Sequence, residues 1–385
     1  MLVTRAIAAH IKRLASQYPV ITITGPRQSG KTTLCKMVFP EKAYVSLENP
    51  DSRRFAATDP NGFFKQYPAG AIIDEIQRVP ELLSYIQGIV DDHGIAGEFI
   101  ITGSAQFELL ENVTQSLAGR TALGKLLPFS YDEIYSGQFV DVDEMLFKGF
   151  FPRIYDKKLD PLEAYAFYFE TYIERDVRAL INVKDFSLFE RFVRLCAGRT
   201  GQVLNMSSLA ADVGTSVHTI KSWLSVLEAS FLVFFMSPHF RNYRKRLVKS
   251  PKMYFLDPGL ACYLLGITQS NQLAIHPLRG FIFETYVICE LLKQRFNNIK
   301  RSNLYFFRDN AGHEIDVIID KGPTLLPIEI KSAATIHPEM FKGLDYYQKL
   351  NPDAEKPVLV YAGNESQQRS GHTIVSFNSI HHIDN

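Results

Sequence analysis

The sequence predicts an α/β protein in three parts: a parallel-sheet domain first, a mainly helical region in the middle, and a second α/β region at the end. Three patterns carry that expectation. Short apolar runs at 20–23, 43–47, 71–73 and 99–102 are separated by stretches long enough for helices, the pattern of a parallel sheet. From about residue 160 the chain changes to long amphipathic stretches rich in aromatics and arginine, at 163–180 and 188–196. After Gly280 a helical stretch at 281–296 leads into alternating runs at 304–307, 315–319, 325–330 and 358–361. We place the boundaries at 1–158, 159–275 and 276–385, since 385 residues exceed one ordinary core at roughly 100–200 residues per domain.

Composition narrows the class without naming a partner. With 46% hydrophobic and 22% charged residues the chain is ordinarily globular, and it holds no low-complexity tract. A net charge of +1 excludes a whole-chain electrostatic attraction, so any nucleic-acid surface must be a local patch. Cys35, Cys196, Cys262 and Cys289 are far apart with no CxxC, which suggests buried thiols in a reducing compartment rather than a zinc site or disulfide frame. No apolar run approaches the roughly 18 residues of a spanning helix, and the first residues lack a signal-peptide core. The expectation is a soluble, cytoplasmic protein with no membrane partner.

Taken in order, residues 1–18 carry Ile7, Ile11 and Leu14 at helical spacing, and Pro19 then opens the apolar run 20–23. Immediately after that strand, Gly25-Pro26-Arg27-Gln28-Ser29-Gly30-Lys31-Thr32 fits GxxxxGK[ST] and precedes a helical stretch. Glycines let the backbone wrap a phosphate with its N–H groups inward, and the helix end adds positive potential. Lys31 is expected to reach the β- and γ-phosphates of ATP, and Thr32 to ligate Mg²⁺, with Thr33 completing the nucleotide contacts. The run 71–73 ends in Asp74 and Glu75. Asp74 would hold Mg²⁺ mostly through water, and Glu75, on the other face of the strand end, would act as general base toward the attacking water. Thr102 or Ser104, ending the run at 99–102, would position water or sense the γ-phosphate; the alternative is a simple turn. Arg120, just before the apolar run 123–127, either reaches a neighbouring subunit's nucleotide, which requires a homo-oligomer, or forms a structural ion pair.

The string at 25–33, Ile72-Ile73-Asp74-Glu75-Ile76-Gln77, Thr102-Gly103-Ser104, Leu117-Ala118-Gly119-Arg120 and Pro128-Phe129-Ser130 together resemble the AAA-like ATPases whose C-terminal half is a DUF4143 domain. The resemblance covers nearly the whole chain. It implies a P-loop NTPase core of AAA type, then a winged helix and a restriction-endonuclease-like fold.

Residues 207–224 read as helix, Gly214-containing turn, helix, with Leu209 and Val213 apolar before the turn and Ile220, Leu224 and Leu227 after it. Arg241, Arg244, Lys245, Arg246, Lys249 and Lys252 follow where a wing hairpin would lie, and DNA phosphates are expected to dock there; a solvated face or a subunit contact is the competing reading.

Near the end, two alternating strands flank Asp320-Lys321-Gly322-Pro323. A hairpin centred between Gly322 and Pro323 sets Asp316 opposite Glu329 and Glu314 opposite Lys331, all on one face. Two carboxylates with a neighbouring lysine suit a second Mg²⁺ or Mn²⁺ and phosphodiester hydrolysis. This arrangement resembles the D…ExK core of the restriction-endonuclease-like superfamily, and the resemblance implies Asp316 and Glu329 as metal ligands, with Lys331 and the helical Glu284 beside them. The competing reading is a charge cluster that kept the fold and serves as a partner-binding platform. The functions in contention are therefore an ATP-hydrolysing, DNA-associated protein with a metal-dependent nuclease domain, a nucleotide switch that binds a protein partner and cuts nothing, and a DNA-binding regulator.

Overall fold

Val20, Ile21 and Ile23 are all fully buried, which requires a strand covered on both faces. That strand is β1 (Val20–Thr24), and it is joined by β2 (Ala43–Ser46), β3 (Ala71–Asp74), β4 (Phe99–Gly103) and β5 (Thr121–Lys125) in a parallel sheet of order β2-β3-β4-β1-β5. The computed structural model describes residues 3–104, 113, 115–173, 186–239, 249–369 and 371–383. Alternation along each strand feeds two cores. Val20, Ala71, Ile73, Phe99 and Ile101 pack on one side of the sheet, and Ile21, Ile23, Ile72 and Ile100 on the other. Each buried isoleucine or phenylalanine contributes about 1.5–3 kcal/mol, so the sheet is held from both faces. The first helix, Ala8–Ala15, buries Ile11 and Leu14 at the expected spacing.

The described chain divides into two compact units: Met1–Phe129 with Ala229–Phe231 and Arg295–Arg301, and Ser130–Glu228 with Leu232–Gln294 and Ser302–Asn385. Residues 130–158, grouped by sequence with the first domain, fall in the second unit. The middle and last regions share that unit. The backbone shows why: Tyr131 N–H donates to buried Glu290 at 2.9 Å and Phe150 N–H to buried Asp257 at 2.8 Å, while Phe150 stacks on Tyr286.

In the second unit, helices Met206–Val213 and Val217–Ala229 flank Gly214, whose φ of 85° closes the first helix, so the expected helix-turn-helix forms. Beside them stands an antiparallel sheet of order β6-β8-β7, made of β6 (Gln202–Val203), β7 (Val233–Met236) and β8 (Lys252–Phe255). Sequence reading placed no strand between about 160 and 253. Val233-Phe234-Phe235-Met236 is apolar throughout, and such a run carries no period to separate strand from helix.

The third sheet is mixed, with strands β9 (Leu304–Arg308), β10 (Glu314–Asp320), β11 (Leu325–Lys331), β12 (Val358–Tyr361), β13 (Gln367–Arg369) and β14 (His372–Ser376) in the order β13-β14-β12-β11-β10-β9. Strands β11, β12 and β14 run parallel and the other pairings are antiparallel. The hairpin register pairs Val317 with Ile328 and Asp320 with Leu325, as a turn centred between Gly322 and Pro323 demands. Ile330 N–H donates to Asp316 Oδ2 at 2.8 Å, which carries the two strands into the acidic face.

Candidate functional site

Strand β1 delivers the chain into the loop 25–32, and helix Lys31–Val38 leaves it. Gly25 has φ 152°, and a Cβ there would lie 2.1 Å from Leu126 O, so no side chain fits. Gly30 opens the helix with no side-chain cap, leaving first-turn N–H groups for a phosphate. Lys31 Nζ donates to the carbonyls of Gly25 at 2.9 Å and Pro26 at 2.8 Å. Burial pushes the Lys31 ammonium down to about 8, against the pull of Glu75 and Asp74, and the nearby Arg27 charge pushes it the same way. Ser29 Oγ is buried with no partner among the described residues, a polar atom left for a ligand. Gln28 and Thr33 are exposed; Gln28 takes a left-handed φ of 60° to turn the loop.

The Asp74 carboxylate sits among three hydroxyls. Thr32 Oγ1 donates to Oδ2 at 2.8 Å, Tyr44 OH donates to the same oxygen at 2.9 Å, and Thr102 Oγ1 donates to Oδ1. Alternation along a strand would place Glu75 opposite Asp74. The strand instead stops at Asp74, and Glu75 turns with φ 60° into the left-handed region. Its carboxylate then accepts from Ser104 Oγ at 3.1 Å and from Gln77 Nε2. Thr102 and Ser104 share one face of the β4 end, so Thr102 serves Asp74 and Ser104 serves Glu75. The oxygen-donor pair Thr32 and Asp74, with the unpartnered Ser29 hydroxyl nearby in the loop, fits a phosphate-bound Mg²⁺.

Arg120 lies at the other end of the sheet. Its carbonyl accepts from Val20 N–H at 3.2 Å, at the start of β1, whereas the phosphate loop follows Thr24. Four strand residues separate the ends by about 13 Å. The Arg120 guanidinium forms a two-point ion pair with Asp91, at 2.5 and 2.7 Å, on the surface. Arg120 therefore does not reach the phosphate loop of its own chain.

Family models match three successive segments: an AAA domain over 17–135, the domain of unknown function DUF8612 over 140–271, and the domain of unknown function DUF4143 over 279–380. The chain is 30% identical over 338 residues to an uncharacterized protein of Mycobacterium tuberculosis, covering 86% of this chain and 74% of that one. It belongs to the AAA-domain proteins that carry a C-terminal DUF4143 domain. An uncharacterized protein of Haemophilus influenzae is 27% identical over 276 residues, which are 67% of this chain and 64% of that one. Among solved structures, a Walker-type ATPase of Pyrococcus abyssi is similar with a TM-score of 0.44 at 14% identity, covering 67% of this chain and 94% of that chain. The AAA-domain match over 17–135 coincides with the parallel sheet β2-β3-β4-β1-β5, so that sheet is the core of the AAA domain. Among the described residues, no helix is long and apolar enough to cross a membrane.

In the DUF4143 segment of this AAA-domain protein, Asp316, Glu329, Lys331 and Glu284 do converge, as sequence reading expected. Two findings alter the chemistry. Lys331 Nζ pairs with Glu329 Oε1 at 2.5 Å rather than with Glu314. Glu314 pairs instead with Lys252 at 2.5 Å and Arg308 at 3.4 Å. Lys252, from β8, also lies 3.0 Å from Glu284 and 3.8 Å from Asp316. Tyr254, two residues on and on the same face of β8, donates to Glu284 at 2.6 Å. Burial raises Glu329 to about 8, with Asp316 adding to it and Lys331 opposing. Burial likewise raises Glu284 to about 7, against the Lys252 charge. The three acids around Lys252 are satisfied by a protein cation, and burial disfavours the charged form of Glu329 against the pull of Lys331. Among the described residues no three His, Cys, Asp or Glu side chains are set to hold a metal. A second Mg²⁺ or Mn²⁺ does not fit this arrangement.

The basic cluster is corrected at one position. Lys252 is 2% exposed and ion-paired, so it cannot meet a DNA phosphate. Lys249 is exposed, and Arg241, Arg244, Lys245 and Arg246 lie outside the described residues. Sequence reading missed Lys252, Tyr254, Gln77 and Tyr44 as site residues. For the first two, the sequence carried one sign: they alternate with Met253 and Phe255, so both polar side chains share a strand face.

Proposed function

We propose that the AAA domain binds ATP with Mg²⁺ and hydrolyses it. The observation that carries this reading is the pair of carboxylates at the end of β3 and just after it, both held by hydroxyls, Asp74 by Thr32, Tyr44 and Thr102 and Glu75 by Ser104, beside a loop whose lysine is parked on backbone carbonyls. Thr32 and Asp74 would hold Mg²⁺, which when bound neutralises charge on the β- and γ-phosphates. Lys31 exchanges the Gly25 and Pro26 carbonyls for phosphate oxygens. Glu75, oriented by Ser104 and Gln77, accepts a proton from the attacking water. In this reading Arg120 acts on a neighbouring chain's nucleotide, because its own lies at the opposite end of the sheet.

Lys31→Ala is expected to abolish nucleotide binding, while Glu75→Gln binds ATP and loses about 10²–10⁴ in turnover. Equilibrium binding of labelled ATP and phosphate release check both, and normal turnover in either variant would sink the reading.

For the remainder of the chain we favour a nucleotide-dependent switch that does not cut nucleic acid, because Lys252 already engages the acidic cluster. DNA association belongs to the same proposal, supported by the helix-turn-helix whose second helix opens with exposed Val217, His218 and Lys221. Binding to duplex DNA that weakens steeply with added salt supports it; no binding at low salt leaves a protein as the partner of the switch. The four buried free cysteines support a reducing, cytoplasmic location.

A further inference from the structure

The acidic cluster of the DUF4143 segment is built around an ammonium. Lys252 Nζ has carboxylate oxygens of Glu314 at 2.5 Å, Glu284 at 3.0 Å and Asp316 at 3.8 Å, and the Phe306 ring lies 5.6 Å away. The lysine is almost wholly buried, so its stem is packed as well as its charge paired. The other donors are filled too: Tyr254 OH on Glu284, Ile330 N–H on Asp316 Oδ2, and Lys331 on Glu329. An isolated buried ammonium is strongly unfavourable, and so is the buried Glu284 carboxylate left without a cation, with half-buried Asp316 and Glu314 beside it. Each stabilises the other only while both are present.

A divalent ion drawn to Glu284, Glu314 and Asp316 would have to displace Lys252 and leave its charge stranded in the interior. One buried oxygen, Glu329 Oε2, has no partner among the described residues, so the pocket retains an oxygen ligand that the lysines do not use. We infer that Lys252 is the resident cation of this cluster, so that the DUF4143 segment binds no catalytic metal unless Lys252 is removed.

The experiment is Mn²⁺ binding to the nucleotide-free full chain, followed by the electron paramagnetic resonance of free Mn²⁺. All proteins carry Asp74→Asn so that the nucleotide site contributes nothing. The chain with Lys252 intact is expected to bind no Mn²⁺ at the cluster, and Lys252→Arg, which keeps the cation, likewise none. Lys252→Met is expected to gain one bound Mn²⁺ per chain, lost again when Asp316→Asn is added. Mn²⁺ bound with Lys252 intact and lost in Asp316→Asn would overturn the inference. So would Mn²⁺-dependent DNA cleavage abolished by Asp316→Asn, or a folded Lys252→Met chain that binds no Mn²⁺. Should Lys252→Met fail to fold, the intact and Lys252→Arg chains decide: Mn²⁺ excluded from both supports the inference, and Mn²⁺ bound at the cluster by either overturns it. Because the nucleotide site is silenced throughout, the outcome is independent of the ATPase reading.

Discussion

Lys31 has an ammonium held down to about 8, chiefly by burial, while it rests on two carbonyls. Phosphate oxygens favour the charged form, so nucleotide binding above pH 8 must draw a proton from solvent. ATP affinity is therefore expected to hold below pH 8 and to fall as pH rises beyond it. Calorimetric titration in buffers of different ionisation enthalpy at pH 8.5 reads the proton uptake directly, and buffer-independent heats would contradict it. Glu329 titrates with the opposite consequence for the folded state. Its carboxyl is raised from 4.5 to about 8, so the folded chain keeps a proton that the unfolded chain releases. That contribution is fully present below pH 4.5 and is lost as pH climbs through 8. Melting temperature is expected to decline between pH 5 and pH 9, and Glu329→Gln to flatten the decline; Glu284, raised to about 7, leaves a residual slope. An unchanged slope in Glu329→Gln would show that its proton is not linked to folding. These residues were legible to different degrees. Lys31 and Glu75 sit in local strings whose spacing marked them as candidates, whereas Gln77, two residues beyond Glu75 in the same run, meets the Glu75 carboxylate only where the chain turns left-handed at Glu75.

At the scale of elements, the segment before the first helix is tied to the phosphate loop by Arg5. Its guanidinium donates to Ser29 O at 2.8 Å, Leu127 O at 2.7 Å and Pro128 O at 3.4 Å, and it covers the Phe129 ring at 4.9 Å. The loop and the segment after β5 also meet directly, where Leu126 N–H donates to Thr24 O at 2.8 Å and Leu126 O excludes a side chain at Gly25. Arg5→Met removes the donor that these three carbonyls share. We expect a loss of roughly 2–4 kcal/mol in urea unfolding and about tenfold weaker ATP binding, since the loop loses its support. Stability and affinity both equal to wild type would show that Arg5 is dispensable to the loop. The β10–β11 hairpin is the opposite case. Its register was readable because Gly322-Pro323 fixes the turn centre and a period of two then fixes every pair.

At the scale of the whole molecule, the position of Arg120 makes a statement about assembly. It pairs with Asp91 at the end of the sheet remote from its own phosphate loop, so service to a nucleotide requires a second copy and release of that pair. Arg120→Ala is expected to lower turnover by 10²-fold or more with little change in ATP affinity, and wild-type turnover per chain is expected to fall on dilution. Turnover indifferent to both would leave the Asp91 ion pair as its whole role. Local order in the chain was enough to specify the parallel sheet, the phosphate loop, the strand end at Asp74, the helix-turn-helix and the convergence of Asp316 with Glu329. Each rests on a period, a turn residue or a spacing that neighbouring residues carry. Tertiary structure alone decided that residues 130–158 join the second unit, that Arg120 pairs with Asp91, and that Lys252 from β8 fills the acidic cluster. Those outcomes depend on which distant surfaces pack together, because a buried charge takes its partner from whatever element folding brings within reach, and no local pattern encodes that choice.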